Sequence, residues 1–237
     1  MFNLFKSTRS KEVVPVEIEL LSVHIPKTAG TSFRNILKQV YGEQAVLRLD
    51  ISLKDGVLRL NEQESQANAL PAHTQVVHGH FSPALLRQRF DLRGDIPMIT
   101  WLRHPVERVI SNYFYLEKRL QEELQEEAKG LDILRKMQRS LMEYARDEVN
   151  RNRQHKFLDG IRLSELAFVG IQEHYSDDLL ALAQLFDWPA FEELHHNRTA
   201  QKRRAVSEAE RSEIAQLNAL DMALYEEALN LRKKRSS

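Results

Sequence analysis

Three groups of side chains in this chain have the types and spacing to act on an anionic substrate. The first is Lys27-Thr28-Ala29-Gly30-Thr31-Ser32, entered through Pro26. It gathers one ammonium group, three hydroxyls and a glycine within six residues. The second is Arg103, with Ser111 eight residues further on. The third is His78-Gly79-His80. A guanidinium donates two parallel hydrogen bonds to a phosphate, and a lysine adds a compact point charge. An imidazole accepts a proton near neutral pH. The first two groups suit an anion on the scale of a nucleotide phosphate, and the histidines could accept a hydroxyl proton.

The elements that must position them can be read from the flanking pattern. A mostly apolar run over 18–25 reads as a strand and stops at Pro26, and Phe33, Ile36, Leu37 and Val40 give helical spacing over 31–41. Strand, short loop and helix in that order leave the first amides of the helix unpaired, with the positive end of the helix dipole behind them. Gly30 is expected to let the backbone approach a ligand closely. The order differs from the common nucleotide loop, whose lysine follows its glycines. A plain capped turn would need neither the Pro-Lys lead-in nor three hydroxyls.

The run 96–103 reads as a second strand with Arg103 at its carboxyl end, where α/β sheets bind ligands. Pro105 suits the first turn of a helix, and Ser111 falls about two turns beyond Arg103. His104 is expected to shape the turn between them. On a strand over 75–80, His78 and His80 would share a face, so either could serve as base or support the fold. A metal site would need a third ligand. His24 is the nearest candidate, and no carboxylate or cysteine cluster accompanies it.

Pro26-Lys27-Thr28-Ala29-Gly30-Thr31-Ser32-Phe33 after a strand resembles the 5′-phosphosulfate loop of sulfotransferases, closest to the heparan and chondroitin carbohydrate branch. Arg103-His104-Pro105 with Ser111 resembles that family's 3′-phosphate motif. His78-Gly79-His80 resembles a segment of the uronyl 2-O-sulfotransferases whose second histidine is the catalytic base. Asn152-Arg153-Gln154 through Gly160 resembles a later string of the family.

The resemblance implies a sulfotransferase dependent on 3′-phosphoadenosine 5′-phosphosulfate (PAPS), with a hydroxyl acceptor, a saccharide in that branch. Such a donor carries its own activated sulfate, so no metal is implied. Lys27 and His80 would be catalytic. Lys27, Thr28, Ala29, Gly30, Thr31, Ser32, Arg103 and Ser111 would bind the nucleotide. The alternatives are a small nucleotide-dependent kinase, or a nucleotide-binding protein without catalysis.

The 237 residues suit one domain, taken as 13–235 after a flexible 1–12. The expected fold is a single α/β domain. Its P-loop-like parallel sheet of four or five strands is flanked by helices, with a long helical insertion after the 3′-phosphate motif. The insertion covers 105 to about 153, with charged pairs at helical spacing over 117–129. Further expected elements are a helix over 82–90, a strand over 167–172, a helix over 176–187 and one or two helices over 207–233, while 43–73 reads as mixed, with a polar patch at 61–68 that forms a loop or a short exposed helix.

Thirty-four basic and 34 acidic residues cancel, so no global field points to nucleic acid. The basic run 198–204 would meet an anion or form a solvated loop, and Arg232 to Arg235 reads as a solvated end. There are no cysteines, no apolar stretch long enough to span a bilayer and no signal-peptide pattern. A cytoplasmic, bacterial enzyme is therefore expected, with peripheral membrane association and oligomeric state left open.

Overall fold

Short apolar runs build the sheet. Leu20–Val23 (β1), Val76–Gly79 (β5), Met98–Leu102 (β6) and Phe168–Ile171 (β7) are buried along their whole length. Strands covered on both faces belong in a parallel sheet. The computed structural model describes residues 17–123, 139–193 and 205–235, and it shows that sheet. Val46–Ile51 (β2), Leu58–Leu60 (β3) and Gln63–Glu64 (β4) complete seven strands among the described residues, in the order β4-β3-β2-β5-β1-β6-β7.

The five strands from β2 to β7 in that order pair in parallel. This matches the upper end of the sequence expectation. The segment 43–73 differs from it: β2 is a full parallel strand, and β3 and β4 fold back antiparallel at the edge. Arg48 and Asp50 interrupt the apolar run of β2, so it reads as mixed. In fact its apolar positions alternate, as a strand with one polar face requires.

Alternation divides the core. Leu20, Val76, Ile99, Trp101 and Phe168 face Gly30–Tyr41 (α1) and Tyr175–Leu185 (α6), through Phe33, Ile36, Leu37, Leu179 and Leu182. Leu21, Val23, Val77, Leu102 and Ile171 face the other way, toward Pro83–Arg89 (α2) and Ala219–Arg235 (α8), where Leu86, Tyr225 and Ala228 pack. A third cluster joins Pro105–Glu123 (α3), Leu141–Arg146 (α4) and Glu208–Leu217 (α7) through Val109, Ile110, Leu141, Ala145 and Ile214. Residues 124–138 and 194–204, which hold part of the charged insertion and the whole basic run 198–204, lie outside the described residues, as does the N-terminal segment 1–12. No helix among the described residues is long and apolar enough to cross a membrane.

The C-terminal arginines are not a solvated end. Asp178 on α6 is almost wholly buried and accepts Arg232 Nε at 2.8 Å, Arg235 Nη2 at 2.9 Å and the Ile171 amide at 2.8 Å. Arg235 also lies 4.0 Å over the Phe168 ring and donates to the Val169 carbonyl at 3.2 Å. One carboxylate thus clamps α8 to β7 and α6. Removing one partner of a buried pair costs about 3–5 kcal/mol, and the part-exposed arginines reduce that to about 2–3 kcal/mol here. Asp178→Ala is therefore expected to lower the urea midpoint by that equivalent with an unchanged slope. A loss below about 0.5 kcal/mol would show that the clamp does not stabilise the chain.

Candidate active site

β1 runs parallel to β5 on one side and β6 on the other, so the segments that follow all three strands emerge at the same sheet edge. Those segments carry Lys27 to Ser32, His80 and Arg103. The shared strand direction is what gathers the three motifs.

The loop after β1 is tight. Thr28 is fully buried, and its hydroxyl donates to the Ile25 carbonyl at 2.8 Å, which stitches the turn. Lys27 and Ala29 adopt left-handed backbone conformations, with φ of 75° and 67°. For residues with a Cβ this costs of order 1–2 kcal/mol each, and such strain persists where the surroundings over-determine the loop. Phe33 N–H donates to the Ala29 carbonyl at 3.1 Å as the first intrahelical bond. The amides of Gly30, Thr31 and Ser32 precede it and lie at the positive end of α1. Thr31 is exposed and Ser32 half-buried.

Gly30 also differs from expectation. A Cβ there would overlap the His24 imidazole, so the missing side chain makes room for a ring of the protein itself. The Lys27 ammonium lies 3.8 Å from the centre of the Tyr115 ring, a cation–π contact.

Arg103 is held by its main chain. The Gln154 side chain accepts from the Arg103 amide at 2.9 Å and donates to the Arg103 carbonyl at 3.0 Å. Gln154 is fully buried at the start of Arg153–Phe157 (α5), and its own amide and that of His155 donate to the Asp221 carboxylate at 3.1 and 2.8 Å. The Arg103 guanidinium donates to the Lys27 carbonyl at 3.3 Å, which ties the two motifs together. Ser111 is 7% exposed on α3.

His104 shapes the turn, as its place in the sequence suggests. Its amide donates to Glu173 at 2.9 Å, and its ring packs edge-on against Tyr225. Asn152 and Lys156 bond to backbone groups of other segments. Asn152 accepts from the Leu220 and Asp221 amides at the start of α8, and Lys156 donates to the Glu148 carbonyl.

The two histidines separate. His78 lies within β5, 3% exposed, with Nδ1 2.9 Å from Ser22 Oγ of β1. His80 lies just past the strand, with a side chain 30% exposed. Its Nδ1 is 2.8 Å from Asp50 Oδ1, and its amide donates to the same oxygen at 2.9 Å. Gly79 permits this contact, because a Cβ there would overlap the Leu49 carbonyl of β2 and push Asp50 away.

Burial raises the Asp50 pKa. The side-chain and backbone hydrogen bonds from His80, with the charges of His80 and Arg48, outweigh it and hold the group at about 2. Asp50 is therefore ionised at neutral pH and accepts the Nδ1–H, which leaves Nε2 of His80 as the free lone pair. The sequence reading missed Asp50. Its signal was the alternation of Val46-Leu47-Arg48-Leu49-Asp50-Ile51.

His24 packs against both histidines, stacked on His78 at 5.3 Å and 16° and tilted against His80 at 4.7 Å. Parallel rings do not aim their nitrogens at one point. Among the described residues no group of three or more His, Cys, Asp or Glu is arranged to hold a metal ion.

Burial, then the charge of His80, holds His78 down at about 3. Burial likewise holds His24 well below the usual histidine range, with the charges of His78 and His80 next in size. A histidine with a depressed pKa binds fewer protons folded than unfolded. The stability tied to His78 is fully present above pH 6.5 and is lost as pH falls toward about 3. In urea titrations below pH 6.5, stability is expected to fall by about 1.4 kcal/mol per pH unit for each such histidine. His78→Asn should remove one proton's worth of that slope. An unchanged slope would mean that His78 titrates normally in the fold.

A profile of the sulfotransferase family matches residues 13–226. No curated protein matches the sequence. A solved structure of a sulfotransferase from Alicyclobacillus acidocaldarius is similar over 90% of this chain and 96% of that chain, at 15% identity and a TM-score of 0.48. With nearly the whole described fold and all three motifs inside the matched span, the chain belongs to the sulfotransferase family.

Proposed function

We propose that the chain transfers the sulfuryl group of PAPS to a hydroxyl of a carbohydrate acceptor by in-line displacement. The observation that carries this reading is the Asp50–His80 pair at 2.8 Å, at the same sheet edge as the Lys27–Ser32 loop. The donor set fits an anionic nucleotide: helix-start amides, a lysine and a guanidinium stand at that edge. The Asp50 carboxylate is engaged by His80 and Arg48. The carbohydrate acceptor rests on the resemblance of His78-Gly79-His80.

The bound nucleotide would supply an activated sulfuryl group. The amides of Gly30, Thr31 and Ser32 with Lys27 would hold its 5′ end, and Arg103 with Ser111 its 3′-phosphate. Asp50 fixes the His80 ring and its tautomer. His80 Nε2 takes the proton of the attacking hydroxyl, and the resulting imidazolium faces the Asp50 carboxylate. The Lys27 ammonium would meet the charge that develops on the leaving oxygen. His24, held neutral, adds no competing positive charge beside the base.

Steady-state kinetics with PAPS and an acceptor hydroxyl test these roles. His80→Ala is expected to lower kcat by about 10²–10⁴-fold while nucleotide affinity stays within about twofold. Asp50→Asn should lower kcat by about tenfold or more through the tautomer of His80. Lys27→Ala should lower kcat rather than only raise KM. Near-normal turnover in His80→Ala would remove that residue as the base.

A further inference from the structure

One ring lies between the loop and the base. His24 leaves β1 with its amide bonded to the Gly79 carbonyl at 2.8 Å. Its imidazole fills the volume that Gly30 leaves empty at the first residue of α1. On its other sides it stacks on His78 and leans on His80 at a centroid distance of 4.7 Å. His78 is itself fixed by Ser22, its register partner across β1 and β5. The His80 ring is thus bounded by Asp50 at its Nδ1 edge, by His24, and by Phe157 at 6.3 Å.

We propose that His24 is a positioning residue, a wedge whose ring sets the distance between the amide end of α1 and the His80 imidazole. The inference rests on the sulfuryl-transfer reading above, since these are the two parts that must hold donor and acceptor in line. A misplacement of about 1 Å between such parts costs on the order of 10²-fold in rate. A ring packed against Gly30, His78 and His80 resists that displacement. The position also demands a neutral ring. A charged side chain would add repulsion beside His80, Arg48 and Lys27, and burial keeps His24 uncharged. The wedge acts through shape, so ring volume should matter more than the ring nitrogens.

Four variants of the full chain test this: His24→Ala, His24→Phe, Gly30→Ala, and Gly30→Ala combined with His24→Ala. Turnover, nucleotide KM and Tm are measured for each. His24→Ala is expected to lower kcat by about tenfold or more with nucleotide KM within about threefold. His24→Phe, which restores the ring, should return kcat to within about threefold of the parent. Gly30→Ala should lower Tm because its Cβ meets the His24 ring, and removing that ring in the double variant should recover most of the loss.

Equal kcat losses in His24→Phe and His24→Ala would overturn the wedge. So would a KM that rises in step with the loss of kcat, or a Gly30→Ala penalty in Tm that is the same with and without His24. If the parent chain moves no sulfuryl group to any hydroxyl, the functional reading falls. The Tm cycle, which needs no activity, then still decides whether His24 is wedged against Gly30.

Discussion

The site depends on the parallel pairing of β1 with β5 on one side and β6 on the other. Parallel strands end together, so three loops far apart in sequence meet at one edge without any being long. The pairing also sets depth. Ser22 and His78 are register partners, which sinks His78 into the sheet, whereas His80 lies beyond the last paired residue and reaches the edge. Two imidazoles two residues apart thus acquire different surroundings, one sealed in the core and one part-exposed beside a carboxylate.

The loops at that edge are secured by polar side chains that contribute little apolar burial. Gln154 grips the Arg103 backbone, Asp221 grips the start of α5, and Arg108, 1% exposed, donates to the Asn150 carbonyl at 3.1 Å. Buried groups of this kind stabilise when their partners are in place and cost free energy when one is missing. Arg108 keeps its Nε unpaired, so this network is tightly filled without being fully satisfied. The left-handed Lys27 and Ala29 are a further local cost, borne where the chain turns from β1 into α1.

Much of this was legible in the sequence. Apolar runs covered on both faces announced β1, β5, β6 and β7, and proline and lysine marked where strands give way to loops. What stayed hidden was long-range. β2 carries Arg48 and Asp50 among its apolar residues, so its segment read as mixed rather than as a strand, and with it went the partner of His80, 30 positions earlier in the chain. Gly30 looked like room for a ligand, but the occupant is His24, which only the folded packing reveals. Arg232 and Arg235 read as a solvated end because their partner, Asp178, sits more than 50 residues away. Gln154 and Arg108 gave no local sign of burial, since a polar residue in a helical stretch normally faces water.

The central claim is that this sheet edge grips a nucleotide through a 3′-phosphate as well as through its 5′ end. Calorimetric titration with 3′-phosphoadenosine 5′-phosphate, beside adenosine 5′-phosphate and ATP with magnesium, tests it most directly. The account predicts tight binding of the first, much weaker binding without the 3′-phosphate, and a marked loss of affinity in Arg103→Ala. Equal affinity for adenosine 5′-phosphate, or a preference for ATP with magnesium, would contradict it.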